Sequence, residues 1–168
     1  MAEAKSGGIV RKRHIKLFVH IVWSTWDNLP LITESMEPRL FEIIGNKIHD
    51  TKCQLLAVNG VADHVHALVL LDASASVGDV AQQLKDSSAR RINREIGPVG
   101  SFRWQGSFSA FSVSPDGVPA VAEYIRDQKQ HHAAGTLKED WEQVPILETE
   151  PPPVPARRPR RKSPGRPS

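Results

Sequence analysis

Residues 64–71, HVHALVLL, are apolar except at the first and third positions, which are histidine. Such a run has the length of a buried strand and falls far short of the roughly 20 apolar residues of a membrane helix, so a sheet must form around it. Side chains alternate along a strand, which puts His64 and His66 on one face with neighbouring imidazoles. That spacing suits one metal ion, and it equally suits two buried histidines satisfied by backbone or water.

Segments of strand and helix period alternate along the rest of the chain. HIKLFVHIVWS (14–24) reads as a first strand, ended by the turn-like DNLP. SMEPRLFEIIGNKIHDT (35–51) brings Leu40, Ile43, Ile44 and Ile48 to one helical face. CQLLAVNGV (53–61) and HVHALVLL read as two strands joined by a turn at Asn59-Gly60. SVGDVAQQLKDSSARRINREIG (76–97) is a second helix stopped by Gly97-Pro98, and SFSAFSVS (107–114) a further strand. VPAVAEYIRDQKQHHAAG (118–135) is a last helix, with Pro119 in its first turn and Gly135 as its stop. The order predicts an α+β fold: a ferredoxin-like or RNA-recognition-like antiparallel sheet with helices on one face, plus a C-terminal helix. Such a fold hosts many functions, so the function must come from a site.

At 168 residues the chain has room for one ordinary domain whose core needs no disulfide, and its single cysteine, Cys53, cannot form one internally. A reducing compartment follows, and a soluble, cytoplasmic protein is expected, without membrane association. The basic-then-apolar stretch RKRHIKLFVHIVW is too short and too rich in His and Trp for a signal peptide, and no small-residue cleavage site follows it. We expect a flexible basic segment over 1–13, the folded unit over 14–144, and a disordered basic tail over 145–168, where proline and arginine dominate without apolar period. The excess of 22 Lys and Arg over 19 Asp and Glu is small but clustered, in RKRHIK, KDSSARRINRE and ARRPRRKSPGRPS. Basic clusters attract polyanions, nucleic acid foremost, although a tail of this kind also simply solubilises.

Tyr124, the only tyrosine, lies four residues before Gln128, so on a helix the two share a face. Taken alone, Tyr124 is compatible with a ring packed at the core edge, and Gln128 with a solvated position. His131 and His132 near the helix end complement its dipole, or His131 serves as a reserve ligand. Asp63 either orients a ligating histidine or makes a turn.

In this order, DHVH on a strand, a helix, WQGSFSAFSVS and YIRDQKQHH make a specific combination, and HIVWST opens it. From His14 to His132 the chain resembles the HUH-type single-tyrosine transposases of the smallest bacterial insertion sequences and the REP-associated tyrosine transposases. The resemblance implies His64, His66 and Gln128 as metal ligands, with Val65 as the hydrophobic residue between the histidines, and Tyr124 as nucleophile. It also implies single-stranded DNA, with a hairpin beside the cleavage site, as substrate, and a homodimer. STWDNLPLIT replaces the Lys- and Arg-containing turn expected after the first strand, a departure that bears on DNA-end recognition rather than on cleavage.

The chemistry has its own logic. Tyrosine ionises near pH 10 and is a poor nucleophile at neutral pH without a base or a polarised electrophile. A divalent cation, Mg²⁺ or Mn²⁺, held by neutral imidazoles and an amide keeps nearly all its charge for the scissile phosphate. Attack by Tyr124 stores the bond energy as a phosphotyrosine, so no nucleotide cofactor is needed, and the sequence has no Walker loop. Lys85, Arg90, Arg91 and Arg94 on the second helix offer a phosphate-binding face, or an ordinary solvated one. Trp104 and Phe108 either stack on unpaired bases or belong to the core. Two other readings stand beside the transposase-like DNA strand transferase: a non-catalytic nucleic-acid-binding module on an RNA-recognition-like sheet, and a metallohydrolase that uses bound water.

Overall fold

The computed structural model describes residues 14–97 and 101–144; the expected N-terminal segment, the expected basic tail and Pro98 lie outside the described residues. Four strands, β1 (Leu17–Ser24), β2 (Gln54–Gly60), β3 (His64–Leu71) and β4 (Ser109–Val113), form one sheet in the order β2-β3-β1-β4, every pair antiparallel. The near-continuous apolar run of β3 lies in the interior of the sheet, where both of its faces are covered.

One face carries α1 (Glu37–Asp50) and α2 (Val77–Glu95). Leu40, Ile43, Ile44 and Ile48 of α1, with Val80, Ala81, Leu84 and Ile92 of α2, pack onto Ile21, Trp23, Val65, Ala67 and Val69. Each Val, Leu or Ile side chain buried there contributes about 1.5–3 kcal/mol relative to exposure. Pro38 stands at the start of α1, where its missing N–H costs nothing. Ser76 caps α2, its Oγ accepting from the Asp79 N–H at 3.1 Å.

The opposite face holds a smaller cluster of Ala57, Leu68, Val121, Ala122 and Ile125. The segment expected as one last helix is two, α3 (Val118–Arg126) and α4 (Gln128–Ala134), separated at Asp127, whose backbone leaves the helical region. Asn59 Nδ2 donates to the Arg126 carbonyl at 2.6 Å and holds the end of α3 against β2. Gly135, left-handed at φ 65°, stops α4.

The turn between β2 and β3 is also displaced from its expected place. β2 runs through Asn59 and Gly60, which pair with His66 and Val65, and the chain reverses over 61–63. Backbone bonds from Thr25 N–H to Asp63 O (2.8 Å) and from Ile32 N–H to Ala62 O (2.9 Å) hold that reversal. Among the described residues, no helix is long and apolar enough to cross a membrane.

Candidate active site

β-Strand alternation puts His64 and His66 on the face roofed by α3, opposite Val65 and Ala67 in the main core. In the register of the sheet His64 stands across from Ser24, and His66 lies between Val22 and Asn59. Both histidines are buried, as are Tyr124 and Gln128, and the four converge.

They converge on a residue the sequence did not single out. Glu142, just past a 3-10 turn at Glu139–Trp141, sets one carboxylate oxygen 3.2 Å from His64 Nε2 and 3.3 Å from His66 Nε2. The other oxygen accepts hydrogen bonds from the Tyr124 hydroxyl and from Gln128 Nε2, the latter at 3.0 Å. His132 Nε2 approaches the first oxygen at 3.5 Å. The Lys138 N–H donates to the Tyr124 oxygen at 3.1 Å, and Trp141 sets its ring edge-on to Tyr124 with centroids 5.0 Å apart.

Behind the histidines stands a supporting layer. Asp63 Oδ1 lies 2.7 Å from His64 Nδ1, so this aspartate orients a histidine as one of its two sequence readings held. His20, fully buried on β1, brings its Nε2 within 2.9 Å of His66 Nδ1, with the two rings stacked at 5.1 Å. Sequence reasoning passed over His20, although it is an even-numbered residue of β1 and therefore shares the face of Val22 and Ser24.

The electrostatics follow the contacts. Burial opposes charge on His64, but the bonded Asp63 carboxylate and the nearby Glu142 carboxylate outweigh it and hold its pKa up at about 9. Burial lowers the pKa of His66, and burial with the adjacent His66 lowers that of His20 to about 3. Burial and the bond to Glu142 push the Tyr124 hydroxyl up, so it is protonated at neutral pH. Burial disfavours the Glu142 anion, but the surrounding imidazoles prevail and keep its pKa below the ordinary carboxylate value.

A divalent cation fits this donor set. The ligand atoms of His64, His66 and Glu142 lie within 4.8 Å of one another, comparable to donors that share an ion at roughly 2.1 Å each. His64 Nε2, His66 Nε2, His132 Nε2 and Gln128 Oε1 are buried and make no properly directed hydrogen bond, a costly state for a protein interior unless something else engages them.

Several expected residues lie elsewhere. His131, the reserve ligand of the sequence reading, stacks on the Tyr124 ring at 4.5 Å and pairs through Nδ1 with Thr136 Oγ1 at 3.0 Å; His132 is the one that faces the carboxylate. Lys85 does not belong to a solvated basic face: it is buried, and its amine donates to the carbonyls of Gly106 (2.9 Å) and Ser107 (3.1 Å). Arg91 and Arg94 pair with Glu95, and Arg90 is exposed. All four ride on α2, on the other side of the sheet from Tyr124, so the structure does not bring them to the site. Trp104 is core, its indole N–H donating to Ser88 Oγ at 2.9 Å, and Phe108 packs against the same cluster.

A four-stranded antiparallel sheet with paired histidines on one face, roofed by a helix that offers a tyrosine hydroxyl, defines a class: α+β domains with an HUH strand and a single tyrosine. Comparison with known proteins names the family. The model of IS200-like transposases matches residues 14–128, and the chain belongs to that family. Among solved structures, a Deinococcus radiodurans protein described as a candidate transposase superposes with a TM-score of 0.57 at 22% identity, covering 76% of this chain and 98% of the other. A REP-associated tyrosine transposase bound to a REP hairpin superposes with a TM-score of 0.56 at 16% identity, covering 84% of this chain and 81% of the other. At such identities the likeness is one of fold. None of the curated proteins matches the chain.

Proposed function

We propose that this transposase-family protein cleaves and rejoins single-stranded DNA through a covalent phosphotyrosine on Tyr124, with a divalent metal, Mg²⁺ or Mn²⁺, held by His64, His66 and Gln128. The observation that carries the reading is the convergence of the Tyr124 hydroxyl, the two imidazole nitrogens and the Gln128 amide on the Glu142 carboxylate. A phosphodiester, also an anion with oxygens to share, is of a kind with that carboxylate and suits the same partners.

The chain's own residues account for the steps. Tyr124 is protonated at rest, so its proton must leave as the hydroxyl attacks phosphorus, and the departing backbone oxygen takes one up, so no proton is gained or lost overall. As the tyrosine oxygen bonds to phosphorus, the phosphorus–oxygen bond to one side of the backbone breaks and releases a strand ending in a hydroxyl. A hydroxyl of another strand reverses the step and frees Tyr124. A divalent cation held by His64, His66 and Gln128 would polarise the phosphate and offset the charge that develops on it. Asp63 holds His64 for that role, and Trp141 and His131 hold the tyrosine ring between an edge and a face.

The neighbour bound to a REP hairpin supports a hairpin-containing DNA as partner. Within the chain the Tyr124 and His66 ring centroids lie 6.4 Å apart, and the homodimer implied by resemblance is part of the same reading. The deciding experiment incubates labelled single-stranded hairpin DNA with the protein and Mg²⁺ or Mn²⁺ on a denaturing gel. Wild type is expected to give a slow-migrating protein–DNA adduct, and Tyr124→Phe none. Binding without cleavage in both would establish the non-catalytic module instead, and cleavage by Tyr124→Phe without an adduct would establish a metallohydrolase.

A further inference from the structure

We infer that His20 is a positioning residue that sets the tautomer of His66 and thereby makes it a metal ligand; the inference rests on the metal-site reading above. The geometry leaves a single proton between His20 Nε2 and His66 Nδ1, which are 2.9 Å apart. If His66 Nδ1 carries it and His20 accepts, His66 Nε2 keeps its lone pair free for a cation. If His20 carries it and donates, the neutral His66 has its own proton on Nε2, and that nitrogen cannot ligate. The two imidazoles therefore have two proton registers, of which only one binds metal.

Among the described residues, burial leaves His66 Nδ1 no partner but His20. His66 is fully buried between Val22 and Asn59, and His20 is 1% exposed, so water has no route to replace the acceptor. His20 stands across from Leu68, diagonal to His66 on the same face, which is how a side chain of one strand reaches a ring of the next. Its ring is fixed by the His66 stack at 5.1 Å, by Phe111 at 5.9 Å and by the edge of Trp141 at 6.4 Å. Each histidine of the strand pair thus has its own support: a carboxylate, Asp63, for His64 and a neutral imidazole, His20, for His66. Partners of this kind are worth 10–100-fold in metal affinity.

The test is Mn²⁺ binding to the full chain, measured by electron paramagnetic resonance, for wild type, His20→Phe and His20→Gln, together with metal-free urea unfolding. His20→Phe keeps an aromatic ring in the stack but removes the acceptor; it is expected to bind Mn²⁺ roughly 10–100-fold more weakly. His20→Gln offers an amide oxygen to His66 Nδ1 and is expected to recover most of the loss, although Phe is the closer match to the packing. Wild-type affinity in His20→Phe, or equal loss in both variants, overturns the inference while leaving the metal site intact. A wild type that binds no Mn²⁺ overturns the metal-site reading and this one with it. Should His20→Phe fail to fold, long-range ¹H–¹⁵N spectra of Zn²⁺-loaded wild type decide: a His66 proton on Nδ1 sustains the inference, and one on Nε2 refutes it.

Discussion

Replacing Gly60 by alanine tests whether close backbone approach beside the histidines is what fixes them. A Cβ at Gly60 would stand 2.3 Å from the His64 carbonyl oxygen, 3.1 Å from Val65 Cα and 3.2 Å from Val65 Cγ2. Two of those atoms are backbone, and the carbonyl already accepts the Val61 N–H at 3.1 Å, so no side chain can turn aside to relieve the contact. Reaching even 3.0 Å requires β2 and β3 to part by at least 0.7 Å, the difference from 2.3 Å. Overpacking of this kind costs about 1–3 kcal/mol, and the rigidity of both partners puts Gly60→Ala at the upper end. The shift falls on His64, and displacement of a catalytic group by about 1 Å costs on the order of 10²-fold in rate. Urea unfolding gives the first number and the adduct assay the second. Gly45→Ala is the control: its Cβ meets only Leu55 Cδ2, at 3.7 Å, in the middle of α1, and the change should be neutral or stabilising by about 0.5–1 kcal/mol. A Gly60→Ala protein with the wild-type unfolding midpoint and adduct yield would refute the argument.

Lys85→Ala should destabilise by about 1–3 kcal/mol in urea, because the amine donates to two carbonyls, while the salt dependence of DNA binding stays as in wild type; a shallower salt slope would return Lys85 to the DNA-binding face. The metal-free protein should be most stable near pH 6.5. Above it, the raised His64 loses its proton between 6.5 and about 9, and the stabilisation from Asp63 and Glu142 goes with it, on the order of 3 kcal/mol. Below it, the unfolded chain protonates at positions 20 and 66 while the folded one resists, since both histidines have lowered values, so stability falls again. Thermal melts of chelator-treated protein from pH 5.5 to 9 measure this, and stability that rises steadily through that range would contradict the ion pairs at His64.

The elements were legible wherever apolar residues kept a period, as with Leu40 to Ile48 in α1 and the run of β3. Tyr124 and Gln128 were legible too, because four-residue spacing survives the break at Asp127 well enough for both side chains to reach one carboxylate. Glu142 carried no such mark: it sits 14 positions after Gln128, in a stretch where Trp141 is the only aromatic landmark, and only the tertiary path of the chain brings it back. Lys85 misled for the converse reason. A lysine among helix polar residues reads as solvated, yet it adjoins Leu84 and lies one turn from Ser88, on the flank of the buried stripe, and its stem is covered while its amine finds carbonyls. His20 was hidden by its neighbours, because a polar residue inside an apolar run has no partner until the register between β1 and β3 is known.

The interruption at Asp127 also governs how the site's parts can be displaced relative to one another. An unbroken helix would carry the nucleophile and the amide on one rod, and any tilt would move both together. Here α3 is pinned to the sheet by Asn59 at its end, whereas α4 is tied to the first layer by the ion pair between Lys129 and the largely buried Glu37 at the head of α1. The tyrosine answers to the edge of the sheet, the amide to a helix on the far side of it. Changes at Glu37 therefore reach Gln128 through α4, and changes at Asn59 reach Tyr124 through α3, so the donor set and the nucleophile answer to different anchors within one chain.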